Sequence, residues 1–272
     1  MRVVRYLDDK GRVSYGSEQK DASVFGIRGD IFSDFEVTSE KARVKKILAP
    51  IVPSTIWCIG LNYRQHATET QSKIPEYPVL FAKSPSALQN PGDPIEIPSR
   101  LKSEQVDFEC ELAVVIGKRC KNVSQDQAYD CVLGYTCAND ISARDWQIKK
   151  GGTQWCRGKT FDTFAPLGPC LVTSDEIRDP HGLRIRTVLN GETMQDSNTD
   201  DMIFDVPRLI EFLSGSTTLL PGTVILTGTP QGVGLARKPP LWLKSGDEIS
   251  VIIERIGSLS NPVRGEHPDG GQ

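Results

Sequence analysis

Most apolar positions in this chain fall in short runs bounded by Gly, Pro, Asn or Asp, a spacing that predicts strands more often than helices. Residues 1–7 and 12–15 read as strands around the polar turn 8–11, and residues 22–31 as a further short strand. Residues 38–48 read as a helix, with Thr38 or Ser39 as its cap and Val44, Ile47 and Leu48 as a narrow apolar face. A proline-punctuated linker at 49–53 follows. Beyond it, residues 55–59, 78–84, 106–117, 135–138, 223–227 and 248–256 read as strands, and Asn190-Gly191 between two strand-like runs predicts a hairpin. Two further helices are expected: 124–133, opened by a Ser124/Gln127 capping box, and 205–213, with Asp205 as cap, Pro207 in the first turn and Gly215 after the end. Residues 264–272 are polar and read as a disordered tail. The chain thus divides into a small N-terminal α/β unit (1–50), a larger domain (51–263) and the tail, in an α+β fold that is predominantly β.

The strand at 106–117, VDFECELAVVIG, carries the most chemistry. Side chains alternate along a strand, so Glu109 and Glu111 share a face with Ala113 and Val115, their Cα atoms roughly 6.5–7 Å apart. Phe108, Cys110, Leu112 and Val114 take the other face. Two carboxylates held together at the edge of an apolar surface repel unless a cation joins them. Oxygen ligands suit a hard ion such as Mg²⁺, Mn²⁺ or Ca²⁺. The same pair also fits a solvated strand edge. Asp140 and Asp145 follow the next strand and offer further carboxylates, and Arg144 a cation.

Histidine is scarce: His66, His181 and His267 are the only three, and His267 lies in the tail. His66 and Glu69 share one face of a helical turn, which suits a base oriented by a carboxylate and equally a surface ion pair. Residues 147–160 contain Gly151-Gly152 and read as a mobile segment that could cover a site. Lys159 ends it, a cation for a carboxylate substrate or a solvated surface lysine. GTPQGVG at 228–234 lacks the Gly-Lys-Ser/Thr of a P-loop and the helix of a dinucleotide fold. Its backbone N–H groups could hold an anion, or the stretch is a plain tight turn.

The remaining composition narrows the class. A net charge of −3 gives no electrostatic reason to expect nucleic acid or an anionic membrane. No apolar run approaches a membrane span, and the N-terminus has no secretory h-region. The seven cysteines form no CxxC and mostly sit in apolar runs, as reduced, buried thiols of the cytoplasm or mitochondrial matrix do. No GxSxG elbow occurs.

Seven stretches in order, IGLNYRQHATE (59–69), PVLFAKSPSAL (78–88), DFECELAVVIGK (107–118), GYTCANDISARDWQ (134–147), GKTFDTFAPLGP (158–169), NGE (190–192) and LTGTPQGVG (226–234), resemble the fumarylacetoacetate hydrolase family, in its small members with one catalytic domain. The resemblance runs from about residue 56 to 256. It implies a mixed β-sandwich or roll with few helices, usually a homodimer. It implies an Mg²⁺ or Mn²⁺ site made by Glu109, Glu111 and Asp140, a catalytic His66–Glu69 dyad on a segment that orders over substrate, and Lys159 stabilising charge or activating water. Lys83, Arg144, Gln147 and Thr229 fall where family members line the substrate pocket. The implied substrates are 2-oxo or 2,4-dioxo acids of the acylpyruvate, fumarylpyruvate or oxaloacetate type. A metal-stabilised enolate serves C–C hydrolysis, decarboxylation and tautomerisation alike. The complete dyad favours hydrolase or decarboxylase chemistry, with a tautomerase or isomerase as the alternative. A catalytically silent metal-binding scaffold is the third reading.

Overall fold

A computed structural model describes residues 1–266 of the chain. Strands dominate it, and the alternation in Cys110–Ile116 builds two cores at once. Leu112, Val114 and Ile116 pack with Leu209, Ile210 and Leu213 of the helix Val206–Ser214. Ala113 and Val115 pack on the opposite face with Ile56, Cys58, Phe81 and Val224. Regular pairing breaks between Val106–Asp107 and Cys110–Ile116. Phe108 consequently joins the second core rather than the face of Cys110 on which strict alternation places it.

Cys110–Ile116 lies inside a 12-stranded sheet. It pairs antiparallel with Val132–Asn139 on one side and Thr223–Leu226 on the other. Thr223–Leu226 runs parallel to Thr55–Gly60, which pairs with the edge strand Val79–Lys83. A five-stranded sheet contributes Ile185, Val251 and Leu259 to the first core. Its Arg184–Leu189/Glu192–Asn198 hairpin turns at Asn190 and Gly191, both at positive φ, as a two-residue turn requires.

The helix expected at 38–48 is absent. Phe35–Lys41 and Val44–Leu48 are strands, so the N-terminal unit is built of strands rather than of mixed α/β elements. Val44–Leu48 pairs with Arg2–Asp8, which in turn pairs with Ala165–Thr173, so these strands continue the large sheet. Val44 and Ile47 gain packing against the first core, and that burial outweighs a weak capping signal. The helix from Val206 forms as read: Asp205 accepts from the Arg208 N–H, a cap worth about 1 kcal/mol. The segment after Ser124 is a 3₁₀ turn, Gln125–Cys131, with a side chain-to-side chain bond from Ser124 to Gln127 in place of a full capping box. Residues 264–266, expected in the tail, are ordered: Arg264 and Gly265 pair with Glu96 and Ile97, and the Glu266 N–H bonds to the Ile97 carbonyl. Residues 267–272, with His267, lie outside the described residues.

Candidate active site

Strand register brings the carboxylates together. Cys110 opposes Asn139, so Glu109 meets the residue after that strand, and the Asp140 N–H donates to the Glu109 carbonyl at 2.9 Å. Carboxylate oxygens of Glu109, Glu111 and Asp140 all lie within 4.8 Å of one another, and all three residues are buried. Two lysines and an arginine hold two of them. Lys159 Nζ donates to Glu109 (2.9 Å) and Asp140 (2.7 Å). Lys83 Nζ donates to Asp140 (2.6 Å) and to the Ile141 carbonyl (3.0 Å). Arg144 spans Glu109 (2.6 Å) and Asp107 (2.8 Å).

Glu111 is the exception. It is 1% exposed, and its single protein donor among the described residues is the Gly228 N–H at 2.6 Å. Burial and the neighbouring Asp140 and Glu109 push its carboxyl well above the usual range. Burial acts on Glu109 too, but Lys159 and Arg144 outweigh it and hold that carboxyl well below its ordinary value. Asp107, Glu109, Glu111 and Asp140 face Lys83, Arg144 and Lys159: four carboxylates against three cations. One Glu111 oxygen without a protein donor among the described residues, one more carboxylate than cations and an all-oxygen donor set fit a hard divalent cation.

The opposite wall carries the imidazole. His66 and Glu69 lie on the short helix Arg64–Glu69, with His66 Nδ1 3.2 Å from Glu69 Oε2. Pairing through Nδ1 leaves Nε2 as the basic nitrogen. Arg64 bonds to the carbonyls of Asp201 and Met202, and Asp201 accepts from the Gln65 N–H at 3.0 Å.

Glycines at 228–234 do bind anions, and the anions are the protein's own. Gly228 N–H holds Glu111, Gly232 N–H holds Glu69 (3.0 and 3.1 Å), and the Gly234 and Leu235 N–H groups hold Asp107. One loop thereby fixes the spacing of both walls. At Gly232 the backbone is left-handed (φ +97°) and an added Cβ would lie 2.4 Å from the Met194 carbonyl, so only glycine fits.

Between the walls is a cleft of about 440 Å³. His66, Glu109, Arg144, Gln147, Lys159 and Thr229 line it, with Ile59, Phe81, Ile148, Trp155 and Leu235 as apolar surface. Lys83 is not on its wall but behind Asp140. Glu69, Glu111 and Asp140 are not on its wall: Glu111 and Asp140 are buried, whereas Glu69 is exposed. Residues 147–160, read as mobile, are folded into a π-helical turn (Asp145–Lys150) and a short helix (Cys156–Lys159). Gly158 packs so tightly on Gln147 and Ala143 that a Cβ would come within 2.5 Å of Gln147 N, which drives Lys159 inward to 1% exposure.

Asp145 takes no part in the cluster; it pairs with Ser103 and Lys150. His181 bonds Asp179 and accepts from the Val206 N–H, serving a helix start. Six of the seven cysteines are buried and Cys156 is partly so; all are free thiols. Two contributors escape the sequence reading. Asp107 is buried and ties Arg144 to the glycine loop, and its place two residues before Glu109 could have flagged it. Gln195 bonds Thr229, the Pro230 carbonyl and the Cys110 N–H, a role with no local signal because its partners are remote in sequence.

Residues 55–264 match the family of the fumarylacetoacetate (FAA) hydrolase C-terminal domain. The chain belongs to the fumarylacetoacetate hydrolase family. That bears out the resemblance read from the motifs, and the mostly-strand architecture with it. A Xenopus laevis relative, oxaloacetate tautomerase fahd2, mitochondrial, is 53% identical over 218 residues, 80% of this chain and 68% of that protein. The crystal structure of 5-carboxymethyl-2-hydroxymuconate delta-isomerase from Mycobacterium smegmatis is 39% identical with a TM-score of 0.84, covering 98% of this chain and 100% of that one. A fumarylacetoacetate hydrolase from psychrophilic Exiguobacterium antarcticum is 35% identical with a TM-score of 0.86, again over 98% and 100%. These are family members named as enzymes. No described helix is long and apolar enough to cross a membrane.

Proposed function

We propose that this chain transfers a proton at the carbon beside the keto group of a 2-oxo acid, interconverting keto and enol forms, with Mg²⁺ or Mn²⁺ held by Glu109, Glu111 and Asp140. The observation that carries the reading is one cleft with a base on one wall, His66, and a carboxylate–lysine cluster on the other, Glu109 with Lys159. The bound cation would supply Lewis-acid stabilisation of negative charge on the substrate oxygens. In the enol-forming direction His66 Nε2 takes the proton from carbon and passes it to the former keto oxygen, and in the keto-forming direction it carries it back, while Glu69 keeps the Nδ1 proton in place and stabilises the imidazolium. Lys159 holds its proton because Asp140 and Glu109 outweigh the cost of burial, so it remains a cation beside the developing enolate. Arg144 and Gln147, joined at 3.0 Å, and Thr229 orient the substrate carboxylate and exclude water.

The sequence reading put C–C cleavage first. The names of the relatives, an oxaloacetate tautomerase and a delta-isomerase, support proton transfer instead. Hydrolysis or decarboxylation is the second reading, favoured by the intact dyad, which can also activate water, and by the likeness to a fumarylacetoacetate hydrolase. The mitochondrial relative supports the mitochondrial matrix over the cytoplasm.

The deciding experiment follows oxaloacetate and an acylpyruvate by NMR with Mg²⁺ and with EDTA. Metal-dependent acceleration of enol–keto conversion without new carbon products is the expected result. Pyruvate appearing at the same rate would replace this reading with cleavage or decarboxylation, and no acceleration of any step would leave the scaffold reading.

A further inference from the structure

Charge bookkeeping inside the cleft singles out one side chain. Three formal cations line it: Arg144, Lys159 and Lys73. Arg144 is engaged by Asp107 and Glu109, and Lys159 by Glu109 and Asp140. Lys73 makes no ion pair among the described residues and is exposed. It stands on the segment that follows the His66 helix, with Thr70, Ser72 and Pro75 of the same segment also on the cleft wall. Much of the remaining lining is apolar, supplied by Ile59, Phe81, Trp155 and Leu235. The cleft thus combines a carboxylate–lysine cluster, an apolar lining and one uncompensated positive charge, on the segment that follows the His66 helix.

We infer that Lys73 is a specificity residue, pairing with a second carboxylate at the far end of the substrate and so selecting 2-oxo dicarboxylic acids over 2-oxo monocarboxylic acids. This rests on the proton-transfer reading for the reacting end but not for the charge at the other. A monoanion satisfied at the metal end leaves Lys73 solvated and gains nothing from it; a dianion of adequate length meets a cation with no competing partner. An exposed ion pair is weak, so the effect is one of preference rather than of binding itself.

A matched pair of probes separates the two claims: 2-oxoglutarate and 2-oxopentanoate, equal in carbon count and differing in the distal carboxylate. Wild type, Lys73→Ala and Lys73→Glu are compared with Mg²⁺ present, with binding read by calorimetry and solvent deuterium incorporation at C3 read by NMR. Wild type should bind the dicarboxylate more tightly, by roughly two- to fivefold, the range for a partly solvated pair. Lys73→Ala should remove that preference and leave 2-oxopentanoate unchanged, and Lys73→Glu should invert it. Raised ionic strength should shrink the wild-type preference. Equal losses on both probes, or a preference indifferent to residue 73, would overturn the inference, with C3 exchange still reporting on the proton-transfer reading. A preference that vanishes in Lys73→Ala without any C3 exchange would uphold the inference and sink that reading. Binding of neither probe by wild type would overturn the inference.

Discussion

The two walls of the cleft are built on opposite principles. The carboxylate wall stands on sheet strands and is cross-linked by buried charge: Lys159, Lys83 and Arg144 together make contacts to Asp107, Glu109 and Asp140 that are out of reach of solvent. The imidazole wall is a six-residue helix outside the sheets, attached by Arg64 and Gln65 to residues 201–202 and by Glu69 to the Gly232 N–H. In the first wall each charge is costly to remove, because its partner is left buried and unpaired. In the second the links are few, partly exposed and replaceable by water, so the wall can adjust to a ligand at small cost. On the proposed reading, a site of this design would keep its charge array fixed and let His66 approach the substrate. Both walls meet in the 228–234 loop, which donates N–H groups to Glu111 on one side and Glu69 on the other.

The largest effects should come from the fixed wall. Glu111→Ala should lower Mg²⁺ affinity by more than the roughly 10- to 100-fold that loss of an outer-shell partner costs, and turnover at limiting metal with it. Titration of metal followed by calorimetry and rate measures both. Its isostere sharpens the comparison. Glu111→Gln should raise the melting temperature of the metal-free protein, since it removes a buried carboxylate with one donor beside two others, and should abolish the stabilisation that Mg²⁺ gives wild type. A metal-free variant less stable than wild type would mean that the excess negative charge is already neutralised.

On the opposite wall, His66→Ala should leave Mg²⁺ affinity and melting temperature near wild type and lower the rate of proton transfer by about 10²–10⁴-fold. Calorimetry and the rate of C3 exchange separate the two quantities. A variant that loses metal would show that the walls are energetically coupled through the glycine loop.

Each wall was legible where its contacts are local. Strand alternation puts Glu109 and Glu111 on one face, but the sequence offers Asp140 and Asp145 alike as further carboxylates, and the register with the next strand selects Asp140. The i,i+3 spacing of His66 and Glu69 was equally local. What sequence left open was contact between distant residues. Lys159 reads locally as a cation for a carboxylate substrate or as a solvated lysine, and Gly158 packing decides for the buried position. Lys83 read as a pocket residue and stands behind Asp140. The glycine loop read as an anion site for a ligand or as a tight turn, and it holds carboxylates from three separate segments. The predicted helix at 38–48 failed for the same reason: pairing with Arg2–Asp8, a long-range contact, decided its conformation over local propensity.

The smallest expected effect lies on the exposed wall and tests the sign of its electrostatics. Burial alone would raise the Glu69 carboxyl, but the hydrogen bond with His66 and the Gly232 N–H outweigh it and hold it below its ordinary value. The unfolded chain therefore takes up this proton at higher pH than the folded one. The resulting stabilisation is complete above the unfolded carboxylate range and is lost as pH falls through the lower, folded value. Glu69→Gln has no such titration. The gap in melting temperature between wild type and Glu69→Gln should be present at neutral pH and close steadily as the pH is lowered through the carboxylate range, with C3 exchange reduced less than by His66→Ala. A gap that widens on acidification would reverse the sign and show that the Glu69 carboxylate is held at a cost to the fold, maintained for its bond to the imidazole alone.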